Sequence, residues 1–149
     1  MTGKYAFAKI PKYPHLRPED ILIWEKFIDN FPGFYESVDY DVHVGQGRDY
    51  PEVEEPKIYD DMKWLSLKRI DVVGYRKDRV DIIEVKPRAG ASAVGQVEVY
   101  TDLYKEKFPD VKNLKKIIIT DDMDPDTTRI CGYRDIGVLI TKEKYLEEE

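Results

Sequence analysis

Two carboxylates and an amine, Asp71, Glu84 and Lys86, interrupt the most apolar stretch of the chain. They lie in the runs Arg69-Ile70-Asp71-Val72-Val73-Gly74-Tyr75 and Arg79-Val80-Asp81-Ile82-Ile83-Glu84-Val85-Lys86. The polar tetrad Arg76-Lys77-Asp78-Arg79 separates the apolar residues of the two runs, which is the signature of a β-hairpin. A turn centred on Lys77-Asp78 pairs Arg76 with Arg79, Tyr75 with Val80, Val73 with Ile82 and Asp71 with Glu84. Like charges directly opposite one another destabilise a sheet, so this register calls for a positive group between the two acids. Paired carboxylates are hard oxygen ligands of the kind Mg²⁺ or Mn²⁺ takes, and the period-2 alternation of a strand sends Lys86 to the same side as Glu84. The chemistry implied is a metal ion with a lysine beside it. Asp81 serves as a control, because the same alternation turns it away from Glu84, toward Gly74.

Elements that could hold this set in place follow from the pattern around it. Pro18 to Asn30 carries apolar residues at helical spacing (Ile21, Trp24, Phe27, Ile28), with Pro18 in the first turn and Pro32-Gly33 after the end. Phe34 to Val44 alternates as a strand, with Phe34, Val38, Tyr40, Val42 and Val44 on one side. From Gly45 to about Lys63 no period emerges, and a long loop is expected there, its Tyr50, Tyr59 and Trp64 either pinning it to the body or stacking on bases. Ser92 is placed to cap a helix running to about Phe108, with Val97, Tyr100, Tyr104 and Phe108 as its apolar stripe. Leu114 to Thr120 and Gly137 to Thr141 read as strands, and Lys142 to Glu149 as a charged tail or short helix. The expected order is α β β β α β β, a mixed sheet with flanking helices, since the strand–helix–strand stretch from Val80 to Thr120 needs a crossover.

Composition narrows the function classes. A chain of 149 residues, 42% of them hydrophobic, is sized for one domain over positions 1–149. No run approaches the roughly 18 apolar residues of a membrane span, and the N-terminal residues lack a signal-peptide core, so a cytoplasmic protein without a membrane partner is expected. One cysteine, Cys131, cannot form an internal disulfide or a four-cysteine metal site, and the two histidines, His15 and His43, show no metal-binding spacing. The net charge is -6, yet Lys63 to Arg88 holds eight basic residues against four acids. A basic patch around a carboxylate pair suits a phosphate-bearing substrate, and it equally describes a solvated hairpin tip.

With Glu84-Val85-Lys86 as an E-x-K element after Asp71, and Gln96-Val97-Glu98-Val99-Tyr100 as a QxxxY element, the chain resembles the PD-(D/E)XK nuclease superfamily, closest in motif to RecB-like and λ-exonuclease-like members. The resemblance spans roughly Pro18 to Thr120 and implies an α/β fold, a single-domain restriction-endonuclease-like core of order α-β-β-β-α-β. It also implies a divalent-metal-dependent DNA nuclease. Asp71, Glu84 and the backbone carbonyl of Val85 would ligate Mg²⁺ or Mn²⁺, Lys86 would contact the attacking water or the scissile phosphate, and Gln96 would orient Lys86 or a phosphate. Tyr100 would border the substrate, Glu25 matches a position where many members carry a further metal-site acid, and Arg88 and Lys105 are candidate phosphate contacts. Exonuclease and endonuclease action stay open at this level, as does homo-oligomerisation. The alternative is a nuclease fold retained as a catalytically silent nucleic-acid-binding or structural module.

Overall fold

The computed structural model describes residues 2–142. Its element order is α1 (Pro18–Asn30), β1 (Ser37–Val44), α2 (Pro56–Leu65), β2 (Lys68–Arg76), β3 (Arg79–Arg88), α3 (Ala91–Lys107), β4 (Leu114–Asp122), α4 (Pro125–Tyr133) and β5 (Ile136–Ile140). The five strands form one sheet in the order β1-β2-β3-β4-β5. The β1–β2 and β2–β3 pairs are antiparallel, whereas β3, β4 and β5 are mutually parallel. The mixed α/β sheet with flanking helices and the α-β-β-β-α-β succession are therefore as expected, with α2 and α4 added. No helix among the described residues is long and apolar enough to cross a membrane.

Two apolar layers sandwich the sheet. On one side Ile23, Trp24, Phe27 and Ile28 of α1 pack with Val38 and Tyr40 of β1, Val72, Ile83, Val85, Ile117 and Ile119. Burying each of those large side chains stabilises the fold by about 1.5–3 kcal/mol relative to exposure. Trp24 also donates its indole N–H to the Tyr40 hydroxyl at 2.8 Å, so its one polar atom is satisfied inside the layer. On the other side Ala93, Val97 and Tyr104 of α3 meet Ile70, Val73, Ile82 and Ile118, with Cys131 of α4 buried among them.

Several local expectations are corrected. The supposed loop from Gly45 to Lys63 contains most of α2, which buries none of its residues and so gives no apolar stripe to read. Instead it is held by its ends: Pro56 is at the first helical position and the Glu55 carboxylate accepts from the N–H groups of Lys57 and Ile58. α3 is capped by Gly90 rather than Ser92. α4 follows Asp124, whose side chain accepts from the Thr127 N–H. Its cap was concealed within an acidic run. The expected terminal segment from Lys142 lies outside the described residues apart from Lys142 itself.

β1 begins at Ser37, and its alternation inverts partway along. Val38 and Tyr40 face the α1 layer, while Val42 and Val44 pack with the α3 layer. The inversion falls at Asp41, whose φ of 55° lies in the left-handed region that Asp tolerates better than most residues. Facing it, β2 switches as well, from Ile70 in the α3 layer to Val72 in the α1 layer. Asp71 sits at that switch.

The hairpin has the expected register, pairing Arg76 with Arg79, Tyr75 with Val80, Gly74 with Asp81 and Val73 with Ile82. Asp81 is fully buried, and its carboxylate accepts two hydrogen bonds from Arg79 and one from the Tyr35 hydroxyl at 2.7 Å. It is structural. The Tyr35 ring reaches Asp81 by lying flat against Gly74, where an added Cβ would come within 2.5 Å of a ring carbon. Gly74→Ala should therefore displace Tyr35 and destabilise the protein by about 1–3 kcal/mol, the usual cost of overpacking. Urea unfolding measures this directly, and an unchanged midpoint would show that the ring is free to shift.

Candidate active site

β2 and β3 stop pairing at Val72 and Ile83. Beyond that point β2 stays bonded to β1 as far as Lys68 opposite Val44, and β3 stays bonded to β4 as far as Arg88 opposite Asp122. The sheet thus opens into a fork, and the next residues on its two arms are Asp71 and Glu84. One ladder bond is replaced by a side chain, since the Val85 N–H donates to Asp71 Oδ2 at 3.0 Å. That bond fixes the Asp71 carboxylate against β3.

Around the fork lies a cavity of about 270 Å³, lined by Asp71, Glu84, Val85, Lys86, Gln96 and Tyr100, together with His15, Arg17, Glu19, Asp20, Arg69 and Pro87. Glu84 is only 5% exposed. Lys86 Nζ stands 3.6 Å from Glu84 Oε2 and reaches outward, its side chain about one third exposed. On α3, Gln96 and Tyr100 are one turn apart and project to the same wall. The Gln96 Oε1 atom is buried with no hydrogen-bond partner among the described residues.

The electrostatics of the fork are those of a site short of positive charge. Burial, then the charge of Asp71, push the Glu84 carboxyl up to about 8, against the opposing pull of Lys86. Burial likewise raises Asp71, with the Val85 N–H holding it down and the nearby charge of Asp20 pushing it further up. Tyr100 is raised by burial and by the charges of Glu84 and Asp71. Two crowded carboxylates and an unpartnered amide oxygen are a donor set that a hard divalent cation would satisfy. Among the described residues no group of three or more His, Cys, Asp or Glu side chains is arranged to hold a metal ion. A pair of carboxylates still fits Mg²⁺, which commonly keeps several waters and takes only one or two carboxylates from the protein.

Six of the sequence candidates thus meet in one place. Three do not: Glu25, Arg88 and Lys105 are outside the cavity lining. The Glu25 carboxylate accepts the Tyr13 hydroxyl at 2.7 Å and helps anchor the segment before α1. The acids that α1 presents to the cavity are Glu19 and Asp20, the second of which also accepts the Arg17 N–H at 3.3 Å. Five residues separate Asp20 from Glu25, roughly 140° around a helix, so they cannot share a wall. In the sequence, Glu19 and Asp20 look like ordinary first-turn acids complementing the helix dipole. His15 and Arg17 carried no motif. Arg69, which counted only toward the basic patch, is held by two hydrogen bonds to Asp41 at 2.7 Å, and these, with Arg69's charge, outweigh burial and lower Asp41.

No protein-family model matches the chain, and no curated protein matches it. Two solved structures are similar in part. One is a repair endonuclease from Pyrococcus abyssi, 22% identical, with 51% of this chain and 34% of that one covered and a TM-score of 0.44. The other is an EndoMS–dsDNA2 complex, 15% identical, with 91% of this chain and 51% of that one covered and a TM-score of 0.47. The chain therefore spans about one third and one half of the lengths of these proteins.

Proposed function

We propose that this chain is a divalent-metal-dependent nuclease that hydrolyses phosphodiester bonds in DNA. The observation carrying the proposal is the fork itself: a buried carboxylate, Glu84, and a half-buried one, Asp71, on adjacent strands, with the Lys86 ammonium beside Glu84 at the mouth of a cavity. Two carboxylates crowded together and largely withdrawn from water are expensive, and a fold retains them where a cation and its chemistry compensate.

Asp71, Glu84 and the carbonyl of Val85 would hold Mg²⁺ or Mn²⁺. Bound there, the ion supplies a water of lowered pKa and offsets negative charge on the phosphorane. Lys86 contributes a second cation at the scissile phosphate, where it stabilises charge that grows in the transition state. The Val85 N–H keeps Asp71 aimed across the fork, so little reorganisation is needed when the substrate arrives. Gln96, with a free amide oxygen, orients the attacking water or the Lys86 ammonium. Arg17 and Arg69 line the same cavity and supply positive charge for the flanking phosphates. Asp20, placed nearby by α1, assists in binding hydrated cation. Glu25, turned toward Tyr13, has no part in it.

Incubation of the protein with linear, circular, single-stranded and branched DNA in Mg²⁺, Mn²⁺ or EDTA tests the reading. Products that require the metal are expected, and the substrates cut separate exonuclease from endonuclease action. DNA left intact with both metals would overturn it.

A further inference from the structure

Trp64, near the end of α2, is stacked face to face on His43 of β1, with ring centroids 4.1 Å apart and planes 14° from parallel. His43 backs one face of the indole, yet Trp64 is still 54% exposed, and among the described residues no other aromatic ring packs against it. An exposed tryptophan of this kind is unusual in a protein whose other tryptophan, Trp24, is fully buried. The helix that carries it contributes nothing to the core. α2 is therefore explained by what it presents rather than by what it buries.

Its position connects it with the fork. His43 lies directly opposite Arg69 in the β1–β2 register, and Arg69 lines the catalytic cavity. Lys63 precedes Trp64, Lys68 begins β2, and the Lys107 ammonium donates to the His43 carbonyl at 2.6 Å. Two lysines thus flank Trp64 closely in the chain, and a third reaches the backbone of His43 from α3. A flat π-surface flanked by cations matches a nucleobase with its phosphates. Base–aromatic stacking requires that the base's own face be free, which a base inside a continuous duplex does not offer.

We propose that the Trp64–His43 stack is a platform for an unpaired base of the substrate strand. The enzyme then acts where DNA is locally single-stranded, with the scissile phosphate in the fork and a base a short way along the strand on Trp64. This rests on the nuclease reading above, but it has its own readout.

Because the chain has two tryptophans and Trp24 is enclosed, quenching of the exposed indole reports on Trp64. In EDTA, to prevent cutting, oligo-dT should quench the parent and leave the emission of Trp64→Phe unchanged, whereas a blunt duplex should quench little. By anisotropy, Trp64→Ala should weaken oligo-dT binding roughly 5- to 100-fold, the range for losing one stacked base, while Trp64→Phe retains most of the affinity. No quenching, equal quenching in Trp64→Phe, or an unaltered affinity in Trp64→Ala would overturn the platform. So would a Trp64 emission shift that follows protein concentration without DNA, which would assign the ring to contact with a second copy. If the platform binds oligo-dT but the protein cuts no DNA, the nuclease reading fails alone; if it cuts normally and Trp64→Ala binds like the parent, the platform fails alone.

Discussion

Lys86→Ala should reduce DNA cleavage by roughly 10²- to 10³-fold, the usual consequence of removing one charge-stabilising group from a transition state. Its folding should be unaffected, since the Lys86 side chain is partly exposed and its ion-pair partner, Glu84, is still 3.6 Å away. Asp71→Asn should lose at least as much activity, because it removes charge from the pair that would hold the metal. The amide keeps an oxygen to accept the Val85 N–H, so the fork survives. Asp71→Ala is a poorer probe. It orphans that buried N–H, which costs about 1–3 kcal/mol and confounds activity with stability. Single-turnover cleavage with saturating Mg²⁺, read beside thermal melting, separates the two effects. If Lys86→Ala and Asp71→Asn both cut like the parent, the chemistry is elsewhere.

In EDTA, stability should fall as pH rises from about 4.5 toward about 8. The Glu84 carboxyl is pushed up to about 8 in the folded protein, above its ordinary 4.5, by burial and then by Asp71. Between those values the folded state binds more protons than the unfolded chain, so raising the pH favours unfolding. Asp71 is raised by burial as well and adds to the loss. A tenfold difference in proton affinity between the folded and unfolded states is worth about 1.4 kcal/mol, so the change across this window amounts to a few kcal/mol. Saturating Mn²⁺ or Mg²⁺ should raise the melting temperature most at the alkaline end, where both carboxyls are ionised and free to bind it. Glu84→Gln should flatten the metal-free profile and greatly diminish the metal response. Melting curves from pH 5 to 9 decide it, and a Glu84→Gln profile parallel to the parent's would place the pH dependence in other groups.

The hairpin was legible because its rule is local. Alternation and a polar turn fix the register from Tyr75/Val80 back to Val73/Ile82, and that register carries Asp71 and Glu84 to the same level of the sheet. Gln96 and Tyr100 were singled out by the QxxxY resemblance, and the one helical turn between them sets both on the same wall. α1 was readable from the apolar stripe that it buries. α2 was not, because a helix held by its caps and lying on the surface has no stripe, and its Trp64 acquires meaning only from the His43 ring that β1 sets beneath it.

Residue types and spacing alone were enough to pick out the candidate set: two carboxylates and an ammonium at fixed intervals on two strands that must pair. Long-range packing supplied the rest. It parted those strands just beyond Val72 and Ile83, so that charges which would otherwise repel inside a closed ladder border a cavity. It inverted the strand faces at Asp41 and Asp71, which no period-2 pattern anticipates. It chose Asp20 over Glu25, because which face of α1 meets the fork depends on how the helix packs across the sheet, through contacts between residues far apart in the chain.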